Sequence, residues 1–216
     1  MMNNHYPIAA LAVVALLVIA ATTAGCATNT NTAPSPTPIA ATKTTAGNNT
    51  TFSSGAGFNI TYPKNLIIDS TTNASTPTKV VIYLSPNTTG DPLTKVDGVN
   101  VVTQELSSGQ KLSDFVTYNL NQLNSSSSSS GIYKNFTILN ETNLTFAGTQ
   151  AHKIVFSTLA PQTINETFTT NKTIKTTQIW LINNNTGYVV AYKALLNDYD
   201  KYLAQATQIM NSFVLT

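Results

Sequence analysis

The sequence predicts an α+β domain, a central antiparallel β-sheet covered by helices, and three observations lead there. In seven stretches apolar residues alternate with Thr, Asn, Gln or Ser between Gly, Pro or Asn boundaries, the period of half-buried strands. In two others the apolar spacing lengthens to that of an amphipathic helix. The 42% of hydrophobic residues is enough to fill a core in a chain of this size.

The elements follow in order. "GFNITYP" (57–63) alternates Phe58, Ile60 and Tyr62 against Asn59 and Thr61, and Pro63 stops it. "KVVIYLSP" (79–86) and "GVNVVTQEL" (98–106) are β-branched runs bounded by Pro or Gly. Leu112, Phe115, Val116, Leu120 and Leu123 then take helical spacing, with Ser113 as the expected N-cap and Asp114 at the positive end of the helix. The low-complexity run Ser125 to Gly131 has nothing to pack and links this helix to the strand "IYKNFTIL". Strands follow at 149–159, 174–183 and 186–196, the last two joined through Asn183-Asn184-Asn185-Thr186-Gly187, where Asn and Gly tolerate positive φ. From Asn197, the expected cap, Tyr199, Tyr202, Leu203, Ala206, Ile209, Met210 and Phe213 form one apolar stripe, with Asp198 and Asp200 in the first turn.

Ahead of the domain lies an unbroken apolar run, Ile8 to Ala21, of fourteen residues. It is shorter than the ~20 residues that a membrane span needs and fits the apolar region of a signal peptide. Thr23-Ala24-Gly25-Cys26 follows and resembles a lipobox, which makes Cys26, the sole cysteine, a lipid attachment point and residues 1–25 a cleaved leader. The alternative is a retained anchor helix. Residues 26–49, rich in Thr, Asn and Pro, read as a disordered tether, and residues 50–216 as the folded domain on the outer side of the membrane.

Charged residues make up only 9% of the chain, and all eleven basic ones are Lys. Isolated lysines without Arg give neither a bidentate phosphate fork nor a basic footprint, so nucleic acid is not an expected partner. Asn-x-Ser/Thr sequons recur at Asn48, Asn49, Asn73, Asn87, Asn124, Asn140, Asn143, Asn165, Asn171 and Asn184, and also at Asn59 and Asn135 within expected strands. They fit an extracellular surface on which glycans replace charge as the solubilising layer.

The pieces "GFNITYPKNL", "LSDFVTYNL", "LTFAGTQAHKIVFS", "QIWLINNNTGYVVAYKA" and "YDKYLAQATQIMNSFVL", in this order, resemble the PsbP-like domain from about Thr50 to Thr216. Tyr62-Pro63-Lys64-Asn65 and Asn211-Ser212-Phe213 are the most specific matches, with Leu66 where the family usually has Trp. The resemblance implies the Mog1/PsbP fold, an α/β/α sandwich, as in archaeal PsbP-related surface lipoproteins, and it implies little chemistry.

A direct search for chemistry agrees with that. His152 is the single histidine beyond the leader, and the sequence offers no partner set for it as a catalytic base. The nine acidic residues are scattered; Asp91 and Asp97 flank "PLTKV" but supply few of the six to eight oxygens that calcium takes. No phosphate loop, zinc spacing or nucleophile elbow is present, so no enzyme, cofactor or metal is expected. Trp180 with Tyr188 and Tyr192 on the adjoining strand defines the candidate binding residues, either as an aromatic groove or as cross-strand core packing. The expected role is a non-catalytic envelope lipoprotein that binds or assists another envelope component; the alternative is a small-solute or sugar binder.

Overall fold

A computed structural model describes residues 42–71, 78–84, 97–126, 134–165 and 168–216. The leader, Cys26, Asn73, Asn87 and Asp91 lie outside the described residues, as do Ser127 to Gly131 and the side chain of Asn165.

Among the described residues, two antiparallel sheets and two helices make up the fold. The smaller sheet has the order β1 (Thr42–Ala46), β2 (Asn49–Ser54), β3 (Phe58–Pro63) and β11 (Val214–Leu215). The larger has seven strands in the order β4 (Ile67–Thr71), β5 (Lys79–Tyr83), β6 (Gly98–Glu105), β10 (Thr186–Leu195), β9 (Phe168–Asn183), β8 (Thr149–Asn165) and β7 (Lys134–Phe146). Helix α1 (Leu112–Ser126) follows β6, and α2 (Leu196–Asn211) follows β10.

The expectation of one sheet covered by helices is corrected by the second sheet. Its strands β1 and β2 come from Thr- and Asn-rich sequence that carries little apolar signal, and β1 falls inside the stretch read as tether. Every β1 residue is exposed, so main-chain pairing to β2 rather than burial holds it there. The architecture is therefore mainly β with two helices.

Each face of the large sheet has its own core. On one, Val99, Val101, Leu181, Val190 and Tyr192 pack against Phe52, Phe58 and Ile60 of the small sheet and against Tyr199, Ala206, Ile209 and Met210 of α2. On the other, Phe115 and Leu123 of α1 cover Ile154, Phe156 and Trp180. Phe115 comes so close to β10 that a Cβ at Gly187 would stand 2.7 Å from its ring, which is why the strand carries glycine there.

The expected helix caps are corrected too. Helix α1 begins at Leu112, and the Lys111 carbonyl accepts from the Asp114 and Phe115 amides, while Ser113 Oγ turns to Asp114 Oδ1 at 3.4 Å. Helix α2 begins at Leu196, one residue before Asn197, and its N-cap Leu195 has no side-chain cap of its own. The carboxylate of Asp97, remote in sequence, accepts the Leu195 N–H at 3.0 Å. Asp198 does lie in the first turn, whereas Asp200 lies further along, with its Oδ1 4.0 Å from Lys175 Nζ.

Burial raises the Asp97 pKa, against the lowering effect of the Leu195 hydrogen bond. Replacing Asp97 by Ala strands the Leu195 N–H at the start of α2 and is expected to cost about 1–3 kcal/mol in urea unfolding. Asp97→Asn keeps an acceptor there without a desolvated charge, and its unfolding midpoint should fall closer to that of the parent chain.

Candidate functional site

The three aromatic residues singled out from the sequence do not form one groove. Strand β10 pairs with β9 so that Val189 stands opposite Trp180 and Leu181 opposite Tyr188. Side chains alternate along a strand. Trp180 consequently faces α1, while Tyr188 and Tyr192 face the small sheet and α2.

All three are buried, and of the two sequence readings the packing one holds. Tyr188 donates its hydroxyl to the Ala56 carbonyl at 3.0 Å and sets its ring edge-on to Phe58. Tyr192 donates to the Tyr199 carbonyl at 2.7 Å, and the Tyr199 hydroxyl meets Thr177 Oγ1 at 2.5 Å. Burial raises the pKa of all three phenols, Tyr192 most of all.

On the α1 face a polar cluster surrounds Trp180 instead. Its indole N–H donates to Gln178 Oε1 at 2.8 Å, and His152 stacks on the ring with centroids 5.7 Å apart. His152 Nδ1 lies 2.8 Å from Asn143 Oδ1. With the proton assigned to Nδ1, the Asn143 oxygen accepts it.

His152 Nε2 is 2.9 Å from Glu141 Oε1, within ion-pair distance, but the two make no hydrogen bond. Both ring nitrogens therefore face groups of the edge strand β7, and the ring joins β7 to β8 rather than reaching toward a nucleophile. Glu141 and Asn143 were not singled out with His152 in the sequence. The signal was the turn Ala147-Gly148, with φ of 49° and 80°, which sets Phe146 against Thr149 and hence Asn143 against His152.

The described sequon residues Asn48, Asn49, Asn124, Asn140, Asn143, Asn171 and Asn184 are all exposed. Asn59 is half-buried in β3, and Asn135 is exposed in β7 with a φ of 54°. Asp97, considered with Asp91 for calcium, is engaged with Leu195. Among the described residues no group of three or more His, Cys, Asp or Glu is placed to hold a metal ion.

The sheet face beyond α1 carries a second polar feature, formed by β5, β6 and β10. Lys79, Asn100 and Lys193 point to this side. Lys193 is half-buried, and burial pushes its pKa down to about 8, aided by repulsion from Lys79 and opposed by Asp97. Burial also lowers the Lys79 pKa, against the pull of Asp69. The Asn100 Oδ1 atom is buried without a hydrogen-bond partner.

No family model matches the chain, and no curated protein matches it. Solved structures do. Cyanobacterial PsbP (CyanoP) from Synechocystis matches with a TM-score of 0.49 at 15% identity, over 74% of this chain and 87% of that one. A Pseudomonas aeruginosa protein of unknown function matches with 0.44 at 11% identity, over 79% and 99%. LpqN of Mycobacterium tuberculosis, described as involved in cell envelope biogenesis, matches with 0.42 at 12% identity, over 74% and 83%.

Trp180 is the single tryptophan and reports on its own surroundings. His152→Ala opens a void on the indole and should destabilise the domain by about 2 kcal/mol or more, with a red shift of Trp180 emission. His152→Phe keeps the stacked ring and frees the exposed Glu141 and Asn143 to water, so it should retain the emission maximum and cost less.

The Lys193 amine fixes the sign of a pH effect. From pH 8 to its ordinary pKa of 10.5 the unfolded chain holds this proton while the folded chain has released it, so stability rises with pH across that window. Above about pH 10 the raised phenols reverse the trend, because only the unfolded chain ionises them there. Urea unfolding across this range should show the rise in the parent chain and a smaller rise in Lys193→Met, where Lys79 alone of the two remains.

Proposed function

We propose that the chain is a non-catalytic extracellular lipoprotein, anchored through a lipid on Cys26, whose PsbP-like domain binds or assists another cell-envelope component. The observation that carries this reading is Thr23-Ala24-Gly25-Cys26 directly behind fourteen apolar residues, in a chain whose single thiol has no partner for a disulfide. Residues 27–41 separate the thiol from β1 and reach about 50 Å when extended. Among the described residues no helix is long and apolar enough to cross a membrane.

Other features support the reading. Helices on opposite faces of the large sheet favour the Mog1/PsbP-like α/β/α arrangement, with the small sheet as an addition on the α2 side. The exposed sequons suit a glycosylated outer surface. His152, locked between Trp180 and β7, is poorly disposed for acid–base work. Small-solute or sugar binding is the second reading, and the unpartnered Asn100 oxygen between two lysines is the observation that favours it.

Detergent phase partitioning of the expressed chain tests the anchor. The parent chain should enter the detergent phase with its mass increased by lipid, and Cys26→Ser should lose that lipid. An unlipidated parent thiol would overturn the reading.

A further inference from the structure

We propose that the β5–β6–β10 face of the large sheet holds a binding site for an acidic sugar, with Asn100 at its floor and Lys79 and Lys193 at its rim. The register builds it. Asn100 stands directly between Val81 of β5 and Ala191 of β10, and Lys193 stands opposite Gly98. Val81, Ala191 and Gly98 are small, so the sheet is low around Asn100.

Taller side chains surround this floor. Lys79 pairs with Val102 and is diagonal to Asn100 on one side, while Lys193 is diagonal to it on the other. Diagonal neighbours on a sheet lie about 7–8 Å apart, within reach of a lysine. Tyr83, opposite Gly98, and Gln178, opposite Ala191, close the remaining sides. Gln178 is fixed by the Trp180 indole, whose N–H its Oε1 accepts.

The chemistry of these groups selects the ligand. The two ammonium groups are without an ion pair: the three bridges among the described residues are His152 with Glu141, Lys175 with Asp200, and Lys201 with Asp198. Asp69, opposite Val81 on the same face and diagonal to Lys79, raises the Lys79 pKa, and Asp97 raises that of Lys193, but neither pair is among these bridges. Two unpaired cations on one face attract an oxyanion.

Asn100 Oδ1, in contrast, is an acceptor and asks for a donor. A buried oxygen without one carries a desolvation cost that a hydroxyl would remove. An oxyanion with hydroxyls beside it meets both demands, as in a uronic acid or a sugar phosphate. Tyr83, Val81 and Ala191 supply the apolar contact that a sugar ring uses. This site does not depend on lipid at Cys26.

Nuclear magnetic resonance titration of the isotope-labelled full chain in detergent micelles tests it, with glucuronate, glucose 6-phosphate and neutral glucose as probes. At least one charged sugar should shift the Asn100 side-chain amide and the Val81 and Ala191 backbone amides, with affinity at least about tenfold above that for glucose. A preference for glucuronate identifies the carboxylate source, and one for glucose 6-phosphate the phosphate source. Lys79→Met and Lys193→Met should each weaken binding about tenfold, as expected for a lost charged hydrogen bond, and Asn100→Asp should abolish it by repulsion. Lys43→Met on β1, and Cys26→Ser, should bind as the parent does. Equal affinity for glucose, no shift with either charged sugar, or unchanged binding in Asn100→Asp would overturn the site and leave the lipid anchor untouched.

Discussion

The tight turn at Asn184 and Asn185, both in left-handed backbone with φ of 47° and 60°, joins the two central strands of the large sheet and sets their register. A slip by one residue would send every side chain of β10 to the opposite face. In the observed register Tyr188, Val190 and Tyr192 enter the core shared with α2 and the small sheet, while Gly187 passes under Phe115. Neither core could form in the alternative pairing: Tyr188 would meet Phe115 where only glycine fits, and Val189 and Lys193 would take the places of Tyr188 and Tyr192.

Polar tips complete what the register begins. A chain with so few charges has little ionic pairing to draw on, and it joins its layers through hydroxyls and amides bonded to the main chain. Tyr188 ties the large sheet to the turn after β2, and Tyr192 and Tyr199 tie it to α2. Ser212 Oγ accepts from the Thr61 N–H and has the Thr61 and Ile209 carbonyls within reach of its one proton, which holds the end of α2 on β3. Asp97 does the same for the start of α2. Each bond contributes about 1 kcal/mol, but breaking one strands a buried partner at greater cost.

Much of this was legible in the sequence, because strands with alternating apolar residues and an amphipathic stripe obey local rules. Strands β3, β5, β6 and β10 and both helices fall where their periods put them, while β7, β8 and β9 run about six residues beyond the expected 132–139, 149–159 and 174–183. Apart from β3 the small sheet was not legible: Thr42 to Ala46 buries nothing, and Val214–Leu215 is too short to carry a period. Caps were misread for the same reason, since Asp97 reaches Leu195 across the fold and nothing local to α2 announces it. Of the two readings of the aromatic residues, core packing is the one that strand parity supports: counted from Thr186 through the asparagine turn back to Trp180, it puts Trp180 on one face and Tyr188 and Tyr192 on the other. The Ala147-Gly148 turn held the equivalent clue to His152 and Asn143.

Cross-strand proton contacts test the register most directly. In a hairpin with two loop residues the pair next to the loop is hydrogen-bonded and the pairs alternate from there, which makes Trp180 and Val189 a non-hydrogen-bonded pair with close α-protons. A strong nuclear Overhauser effect between the α-protons of Trp180 and Val189 is the result expected. The same effect between Trp180 and either Tyr188 or Val190 would contradict the two-faced core, and with it the placement of Asn100, Lys193 and His152 on a common side.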